Sequence, residues 1–216
     1  MLRKVLYIDL TRQESWVEER QELFESWMGG TGVGIRLLQE ECPAGTDPLS
    51  PEAPIILSIG PLNGVFPLAT HSAAPFSSPL TGNLGESYAG GRLSLALRFA
   101  GHEAVVIKGR AERPSYISIN DQEVRIKDAT SIWGVDAQTT GIILRDREPG
   151  VGRRSIIRIG PAGEAGVRFA CVMVDTYRHF GRLGLGAVFG SKNLKALAVS
   201  GTEHVDVPDI KRYKEV

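Results

Sequence analysis

Two short segments rich in glycine and arginine have residue types that suit a specific chemistry. Residues 90–92 read Gly-Gly-Arg, residues 181–184 read Gly-Arg-Leu-Gly, and a helix-like segment follows each. A helix start offers unpaired backbone N–H groups, glycine lets a ligand approach the backbone closely, and arginine adds a fork of donors that fits phosphate. The pattern predicts two phosphate-binding loops, and a pair of tight turns that need positive φ is the alternative.

A third glycine-rich run, residues 29–34, is expected to be a further loop between two helices. It lacks the Gly-Lys-Ser/Thr of a P-loop, and it follows a helix-like segment instead of the strand that a dinucleotide-binding fingerprint requires. No Ser-His-Asp pattern stands out, and the four histidines do not share metal-ligand spacing. The catalytic residues therefore remain unknown from pattern alone. The polar residues nearest the loops are Asp9, Glu86, Glu103, Asp128, Asp175 and His179.

The two loops belong to a longer internal repeat. Residues 91–96 match residues 181–186, and residues 104–109 match residues 196–201 after a two-residue insertion. Each copy reads as a glycine-rich loop, a short helix, a turn and a buried strand. A long repeat that occurs twice indicates duplication, and duplicated halves often pack about a pseudo-two-fold axis. The two loops would then face each other and could hold a ligand that is itself two-fold.

Short buried strands alternate with short helices along the chain. Residues 66–86 have no clean period and are expected to be irregular. Because no linker-like composition occurs before about residue 202, we predict one α+β domain over residues 1–203 and the start of a linker over 204–216. The predicted strands are 5–8, 15–17, 55–59, 103–108, a hairpin within 116–128, 155–159, 167–174 and 194–199. The predicted helices are 18–28, 35–41, 93–100, 136–148 and 185–189.

Composition excludes several classes of protein. Acidic and basic residues balance at 25 each, which gives no electrostatic basis for binding nucleic acid. No apolar run is long enough to span a membrane, and no signal-peptide pattern opens the chain, so a cytoplasmic location is expected. Cys42 and Cys171 cannot by themselves form a cluster or zinc site, and both are expected to be buried or half-buried free thiols.

Several ordered strings resemble one known family over essentially the whole chain. Residues 77–82 read Ser-Ser-Pro-Leu-Thr-Gly, and residues 99–109 read Phe-Ala-Gly-His-Glu-Ala-Val-Val-Ile-Lys-Gly. Residues 159–164 read Ile-Gly-Pro-Ala-Gly-Glu, and residues 190–196 read Gly-Ser-Lys-Asn-Leu-Lys-Ala. With the two glycine–arginine loops between them, these strings are similar to the N-terminal domain of the tungsten- or molybdenum-containing aldehyde:ferredoxin oxidoreductases.

The resemblance implies a fold and a cofactor. The fold is a duplicated, β-rich α+β domain with pseudo-two-fold halves, on which a tungsten or molybdenum bis-pterin (tungstopterin or molybdopterin) sits. Arg178 corresponds to an arginine that contacts a pterin phosphate, and the backbone carbonyls of Tyr88 and His179 correspond to ligands of a bridging magnesium ion. The implied cofactor-binding residues are His71, Tyr88, Ala89, Gly90, Gly91, Arg92, Arg178, His179, Gly181, Arg182 and Gly184.

Two departures from the family pattern affect this expectation. His71 stands where family members carry a phosphate-contacting arginine, and a histidine donates to phosphate more weakly and in a pH-dependent way. The family also continues through two mostly helical domains, which hold the cysteines of a [4Fe–4S] cluster, the substrate channel and the acid–base residues.

Two functional hypotheses follow from the resemblance. In the first, the chain is the cofactor-binding part of an oxidoreductase that oxidises aldehydes to carboxylic acids and passes electrons through an iron–sulfur cluster to ferredoxin. The isolated chain is then expected to be inactive without the helical domains or a partner subunit. In the second, it is a stand-alone or split-subunit module that binds the pterin cofactor and has no activity of its own.

Overall fold

Two mixed β-sheets of six strands each form the protein. The computed structural model describes residues 3–148, 150, 153–205, 207 and 209–215. The strands are β1 Lys4–Asp9, β2 Glu14–Glu19, β3 Ile55–Ile59, β4 Ser72–Ser77, β5 Leu84–Ala89, β6 Ala104–Lys108, β7 Ser115–Asn120, β8 Glu123–Asp128, β9 Arg153–Arg158, β10 Val172–Val174, β11 Arg178–Phe180 and β12 Leu194–Gly201. The helices are α1 Gln21–Trp27, α2 Gly30–Glu41, α3 Leu93–Phe99, α4 Ala137–Arg147, α5 Pro161–Glu164, α6 Leu185–Ser191 and α7 Ile210–Glu215.

The two sheets repeat one topology. The first has the strand order β2-β1-β6-β3-β4-β5, and the second has the order β8-β7-β12-β9-β10-β11. In each sheet one central pair is parallel, β1 with β6 and β7 with β12, and every other neighbouring pair is antiparallel. Helices α3 and α6 precede β6 and β12 at corresponding positions. The predicted duplication and the α+β class are therefore confirmed.

A single central core joins the two halves. It contains Leu6 and Ile107 from the first sheet and Ile157 and Val199 from the second, together with apolar side chains of α3 and α6. Helix α3 follows a strand of the first sheet but packs on β9 and β12 of the second. The contact is close, because a Cβ added at Gly201 would lie 2.1 Å from the backbone nitrogen of Ala100. Neither half buries its inner face without the other.

The outer face of each sheet has a separate helical cover. Val5 and Tyr7 of β1 point away from the central core and pack with Leu37 of α2. On the second sheet, Ala196 of β12 packs with Leu144 of α4 in the same way. Successive strand residues face opposite sides of a sheet, so strands covered on both sides read as continuous apolar runs. This explains why the buried strands were the most readily predicted elements.

The prediction that residues 29–34 form a loop is wrong. The break is confined to Met28 and Gly29, and α2 begins at Gly30 and contains the other glycines of the run. These glycines allow close packing of the helix. A Cβ at Gly34 would lie 2.6 Å from Pro75 Cγ, and one at Gly32 would lie 2.7 Å from the Trp27 carbonyl oxygen. Tertiary packing thus overrides the low helix propensity of glycine.

The prediction that residues 66–86 are irregular throughout is also wrong, because they include β4 and the first half of β5, which pair as a hairpin. Pro75 sits inside β4 and obscured the strand. Strand β4 pairs with β3 only at Ala73 and Ser72, so Pro75 lies beyond that contact and pairs only with Glu86 of β5. Proline is tolerated where the strand has no ladder bond to donate.

A further difference lies in the second half of the described chain. The predicted strand 167–174 is limited to Val172–Val174, and β11 was not predicted. Within the predicted linker, the Tyr213 hydroxyl of α7 donates to the Val65 carbonyl, and its ring lies 5.6 Å from that of Phe66. Among the described helices, none is long and apolar enough to cross a membrane.

A buried ammonium group also connects the halves. Lys192, directly after α6, is fully buried. Its Nζ donates to the carbonyl oxygens of Pro51 at 3.0 Å, Gly109 at 3.2 Å and Ser50 at 3.5 Å, all in the first half. Burial disfavours the charged form and lowers the pKa of Lys192 to about 8.

This pKa predicts a stability change at alkaline pH. Between about pH 8 and the normal lysine pKa, the unfolded chain binds a proton at Lys192 that the folded chain has released, so stability rises with pH. We expect the free energy of unfolding of the wild type, relative to Lys192→Met, to rise by roughly 2 kcal/mol from about pH 7.5 to about pH 10. Urea denaturation of both proteins across this range measures the difference, and a difference that is flat with pH would contradict the prediction.

Candidate functional site

One edge strand of the first sheet lies against one edge strand of the second. Strand β5 ends the first sheet, β11 ends the second, and the two strands lie against each other. Each is followed by one of the glycine–arginine loops, residues 90–92 after β5 and residues 181–184 after β11, and then by a central helix. The duplication therefore brings the two loops together on one face, which we call the loop face.

Hydrogen bonds cross between the halves at the loop face. The backbone N–H of Arg182 donates to Ser87 Oγ of β5 at 3.3 Å. The Ser78 hydroxyl donates to the carbonyl of Leu183 at 2.8 Å. Both serines are buried. The second loop is thus anchored to the first sheet as well as to its own.

Two glycines of these loops have backbone conformations that favour glycine. Gly91 has φ 110° and Gly184 has φ 86°. A Cβ at Gly184 would also lie 2.0 Å from the Arg168 carbonyl oxygen, so the backbone passes too closely there for any side chain. A Cβ at Gly91 would lie 3.5 Å from Arg178 Cγ, which shows how near β11 approaches the first loop.

The structure collects basic side chains on the loop face. Arg92 and Arg182 lie on the loops, Arg178 and His179 lie on β11, and His71 lies beside the first loop; all five are exposed. A Cβ at Gly90 would lie 3.6 Å from His71 Nε2, so the His71 ring is next to the first loop. The other predicted site residues are on the same elements, with Gly181 exposed, Gly90 half-buried and Ala89 and Gly184 buried.

Tyr88 connects the loop face to the start of α2. The residue is 47% exposed. Its hydroxyl donates to the Glu86 carboxylate and lies 3.0 Å from Thr31 Oγ1 in the first turn of α2. The hydrogen bond with Glu86 raises the pKa of the Tyr88 phenol. The third glycine-rich run therefore borders the same face, although as a helix start and not as a loop.

Asp175 is a polar residue that holds the first loop against the second sheet. It lies in the turn between β10 and β11 with φ 51°. Oδ2 accepts from the Arg92 N–H at 3.1 Å, and the Arg92 Nε is 3.7 Å away. Oδ1 accepts from Ser155 Oγ at 2.9 Å and from the Ile156 N–H at 3.2 Å. One carboxylate thus joins the first loop to the second sheet, three residues before Arg178.

The sequence pattern predicts only part of this site. Among the polar residues expected near the loops, Glu86, Asp175 and His179 lie at the loop face. Asp9 and Asp128 instead accept local backbone bonds elsewhere, and Glu103 accepts from the distant Lys4 N–H. Thr31, Ser87 and Ser155 were missed, because a serine or threonine within a strand or helix gives no signal of a partner far along the chain.

The cysteines take no part in the loop face. Cys42 is half-buried against the outer core of the first sheet, as expected, but Cys171 is exposed and not buried. In the described ranges, no group of three or more His, Cys, Asp or Glu side chains is placed to hold a metal ion.

Comparison with known proteins identifies the family. Residues 5–201 match the family described as aldehyde ferredoxin oxidoreductase, N-terminal domain. The chain belongs to this family. It is 41% identical over 212 residues to a tungsten-containing aldehyde ferredoxin oxidoreductase from Pyrococcus furiosus, covering 97% of this chain and 35% of that protein. A protein of the same name from Thermococcus kodakarensis is 40% identical, with the same coverage.

The chain is also similar to proteins with other names. An aliphatic sulfonate oxidoreductase, WOR-like subunit, from Pyrococcus furiosus is 34% identical over 214 residues, covering 92% of this chain and 34% of that protein. The active-site complex BamBC of benzoyl coenzyme A reductase, solved with 1,5-dienoyl-CoA, has a chain with a TM-score of 0.91 at 30% identity. The match covers 98% of this chain and 32% of that chain. This aldehyde ferredoxin oxidoreductase N-terminal domain therefore spans about a third of the length of the relatives it matches.

The position of Asp175 generates a prediction. Asp175→Ala removes the acceptor of Arg92, Ser155 and Ile156 and places alanine in a left-handed conformation, so we expect a loss of roughly 2–3 kcal/mol in stability. Asp175→Asn tolerates that conformation and keeps one acceptor oxygen, so it should lose less. Amide hydrogen exchange should accelerate at Arg92 and Ile156 in both variants.

Asp121 provides the matched control. It also has φ 51°, and its carboxylate accepts from the Thr202 N–H and hydroxyl away from the loop face. Asp121→Asn should leave exchange at Arg92 unchanged. Unchanged exchange at Arg92 in Asp175→Ala would show that Asp175 does not hold the loop.

Proposed function

We propose that this chain binds a tungsten or molybdenum bis-pterin cofactor on its loop face, as the cofactor-binding part of an oxidoreductase that oxidises aldehydes to carboxylic acids with ferredoxin as electron acceptor. The observation that carries the proposal is the convergence of the two glycine–arginine loops, one from each half of a duplicated domain. The names of the most similar relatives, tungsten-containing aldehyde ferredoxin oxidoreductases, support the metal and the reaction.

The residues at the loop face fit an anionic, two-fold cofactor. Arg178 and Arg182 offer exposed guanidinium groups for pterin phosphates, and His71 and Arg92 add donors on the side of the first loop. The positive φ of Gly91 lets the backbone turn beneath a ligand without a side chain in the way. Magnesium held by the backbone carbonyls of Tyr88 and His179 is part of the proposal.

In this function the protein supplies binding and orientation. When bound, the metal–pterin supplies the two-electron redox chemistry. Asp175 holds the first loop against the second sheet. Tyr88, hydrogen-bonded to Glu86 and Thr31, fixes the end of β5 where a magnesium ligand is proposed. The basic side chains neutralise phosphate charge at a surface that carries few carboxylates.

We assign the remaining steps to the part of the enzyme that this chain does not span. The chain covers 35% of its aldehyde-oxidising relatives. The [4Fe–4S] cluster, the ferredoxin contact and the aldehyde pocket belong, in this proposal, to helical domains or a partner subunit. Relatives named for aldehydes, aliphatic sulfonate and benzoyl coenzyme A share this domain, which favours substrate selection outside it.

A second candidate is a stand-alone or split-subunit module that binds the cofactor and has no activity of its own. The observation that favours it is that both glycine–arginine loops and the basic side chains around them lie within this one chain. Both candidates require cofactor binding and differ in the partner. Mixing the metal-loaded chain with a separately produced helical portion of a relative, and assaying aldehyde-dependent reduction of ferredoxin, distinguishes them: activity supports the enzyme part, and stable metal binding without activity supports the module.

Cofactor binding has a direct test in Arg178. Loss of a charge-assisted contact to phosphate should weaken retention by about tenfold or more in Arg178→Gln. The chain is produced with tungstate or molybdate in cells that make the pterin cofactor, and metal and phosphorus are quantified together by mass spectrometry after dialysis.

Arg125→Gln is the matched control, because Arg125 is an exposed arginine on β8, at the opposite edge of the same sheet. It should retain metal as the wild type does. Equal retention in Arg178→Gln and wild type would remove Arg178 from the site. A wild-type chain without metal and pterin phosphorus would contradict cofactor binding by this chain in either candidate function.

A further inference from the structure

A second basic site lies beside the loop face. A cavity of about 190 Å³ opens between the end of α4, the start of β9 and the first loop. Its lining includes Arg92, Arg145 and Arg154 and only one carboxylate, that of Asp175. We propose that this cavity binds a tetrahedral oxyanion of the phosphate class. The proposal rests on the proposed function only in that Arg92 belongs to both sites; Arg178 and His71 do not line the cavity.

The arginines of the cavity have donors to spare. Arg154 uses Nη1 to bond the carbonyl oxygens of Arg145 at 3.1 Å and Glu148 at 2.5 Å. In the part of the chain that the structure describes, Nε and Nη2 of Arg154 and the whole guanidinium of Arg145 have no hydrogen-bond or ion-pair partner. Among the described residues, the side chain of Arg92 has only the 3.7 Å ion pair with Asp175. Several N–H donors are therefore available to a ligand in the cavity.

Asp175 carries a single negative charge against the three guanidinium groups of the lining, so the cavity keeps a net positive charge. A fourth guanidinium, that of Arg158, lies buried next to the cavity and donates to the carbonyls of Ala137, Ile156 and Asp175. Burial lowers the pKa of Arg158, the Asp175 charge opposes this, and repulsion from Arg145 adds to it. A bound anion would relieve that repulsion.

The size and chemistry of the cavity select the class of ligand. Sites that hold a whole drug-sized molecule occupy about 300–1,000 Å³, so this cavity suits a small anion or one phosphate group of a larger molecule. Arginine forks match the oxygens of phosphate, and three arginines line the cavity. The two sources of such a group are free phosphate and a phosphate of the cofactor.

Titration of the wild-type chain with inorganic phosphate by calorimetry, at constant ionic strength, tests the site. We expect saturable binding that is weakened by about tenfold in Arg145→Gln. Arg145→Gln should fold, because Arg145 is exposed and its carbonyl still accepts from Arg154. Arg147→Gln is the matched control, since Arg147 is an exposed arginine of the same helix whose Nη1 points to Ser131 Oγ at 3.4 Å and does not line the cavity.

Wild type without saturable phosphate binding, or equal weakening in Arg145→Gln and Arg147→Gln, would overturn the proposal. Phosphate binding to a wild-type chain that retains no metal would uphold this site while the proposed function fails. If the wild type retains metal but its metal-free chain shows no saturable phosphate binding, the proposed function stands and this second site fails. If metal-loaded protein still takes up phosphate, the ligand is free phosphate; if loading abolishes the uptake in competition with phosphate, the ligand is a cofactor phosphate.

Discussion

The burial of each sheet's inner face by the other half is the constraint on which the rest of the structure depends. Leu6 and Ile107 of one sheet and Ile157 and Val199 of the other belong to a single apolar core with α3 and α6. Burial of apolar surface is the main favourable contribution to folding, and neither sheet can complete it alone. The same packing sets β5 against β11, and therefore fixes which loops can share a ligand.

Charged groups at the boundary also join the two halves, although their burial costs desolvation free energy. Lys192 places a buried ammonium on three carbonyls of the first half, and Asp175 joins the first loop to the second sheet. Removing one member of such a network leaves buried polar groups without partners, which costs more than the network contributes net. These residues specify the register between the halves, whereas the apolar core supplies most of the attraction.

The distribution of charge matters more here than its sum. The chain carries equal numbers of acidic and basic residues, yet Arg92, Arg178 and Arg182 lie on one face, and Arg145 and Arg154 line the cavity beside it. A neutral protein can thus present a local surface suited to phosphate. Duplication produces part of this surface, because corresponding loops arrive from both halves. Asp175 and α4 lie outside the repeated strings and supply the remainder.

The sequence by itself determined the duplication, the buried strands and the two glycine–arginine loops, because a strand covered on both faces and a repeated string are local patterns. Local patterns led to wrong predictions of a loop over residues 29–34 and of an irregular segment over residues 66–86. Close packing of Gly34 against Pro75 and the pairing of β4 with β5 override local preference there. Only the tertiary structure decided that Asp175, Ser87 and Thr31 border the loops and that Arg145 and Arg154 share a cavity with Arg92. Those contacts join residues far apart in the chain, and no local pattern of residue types encodes a distance that is set by how two halves pack.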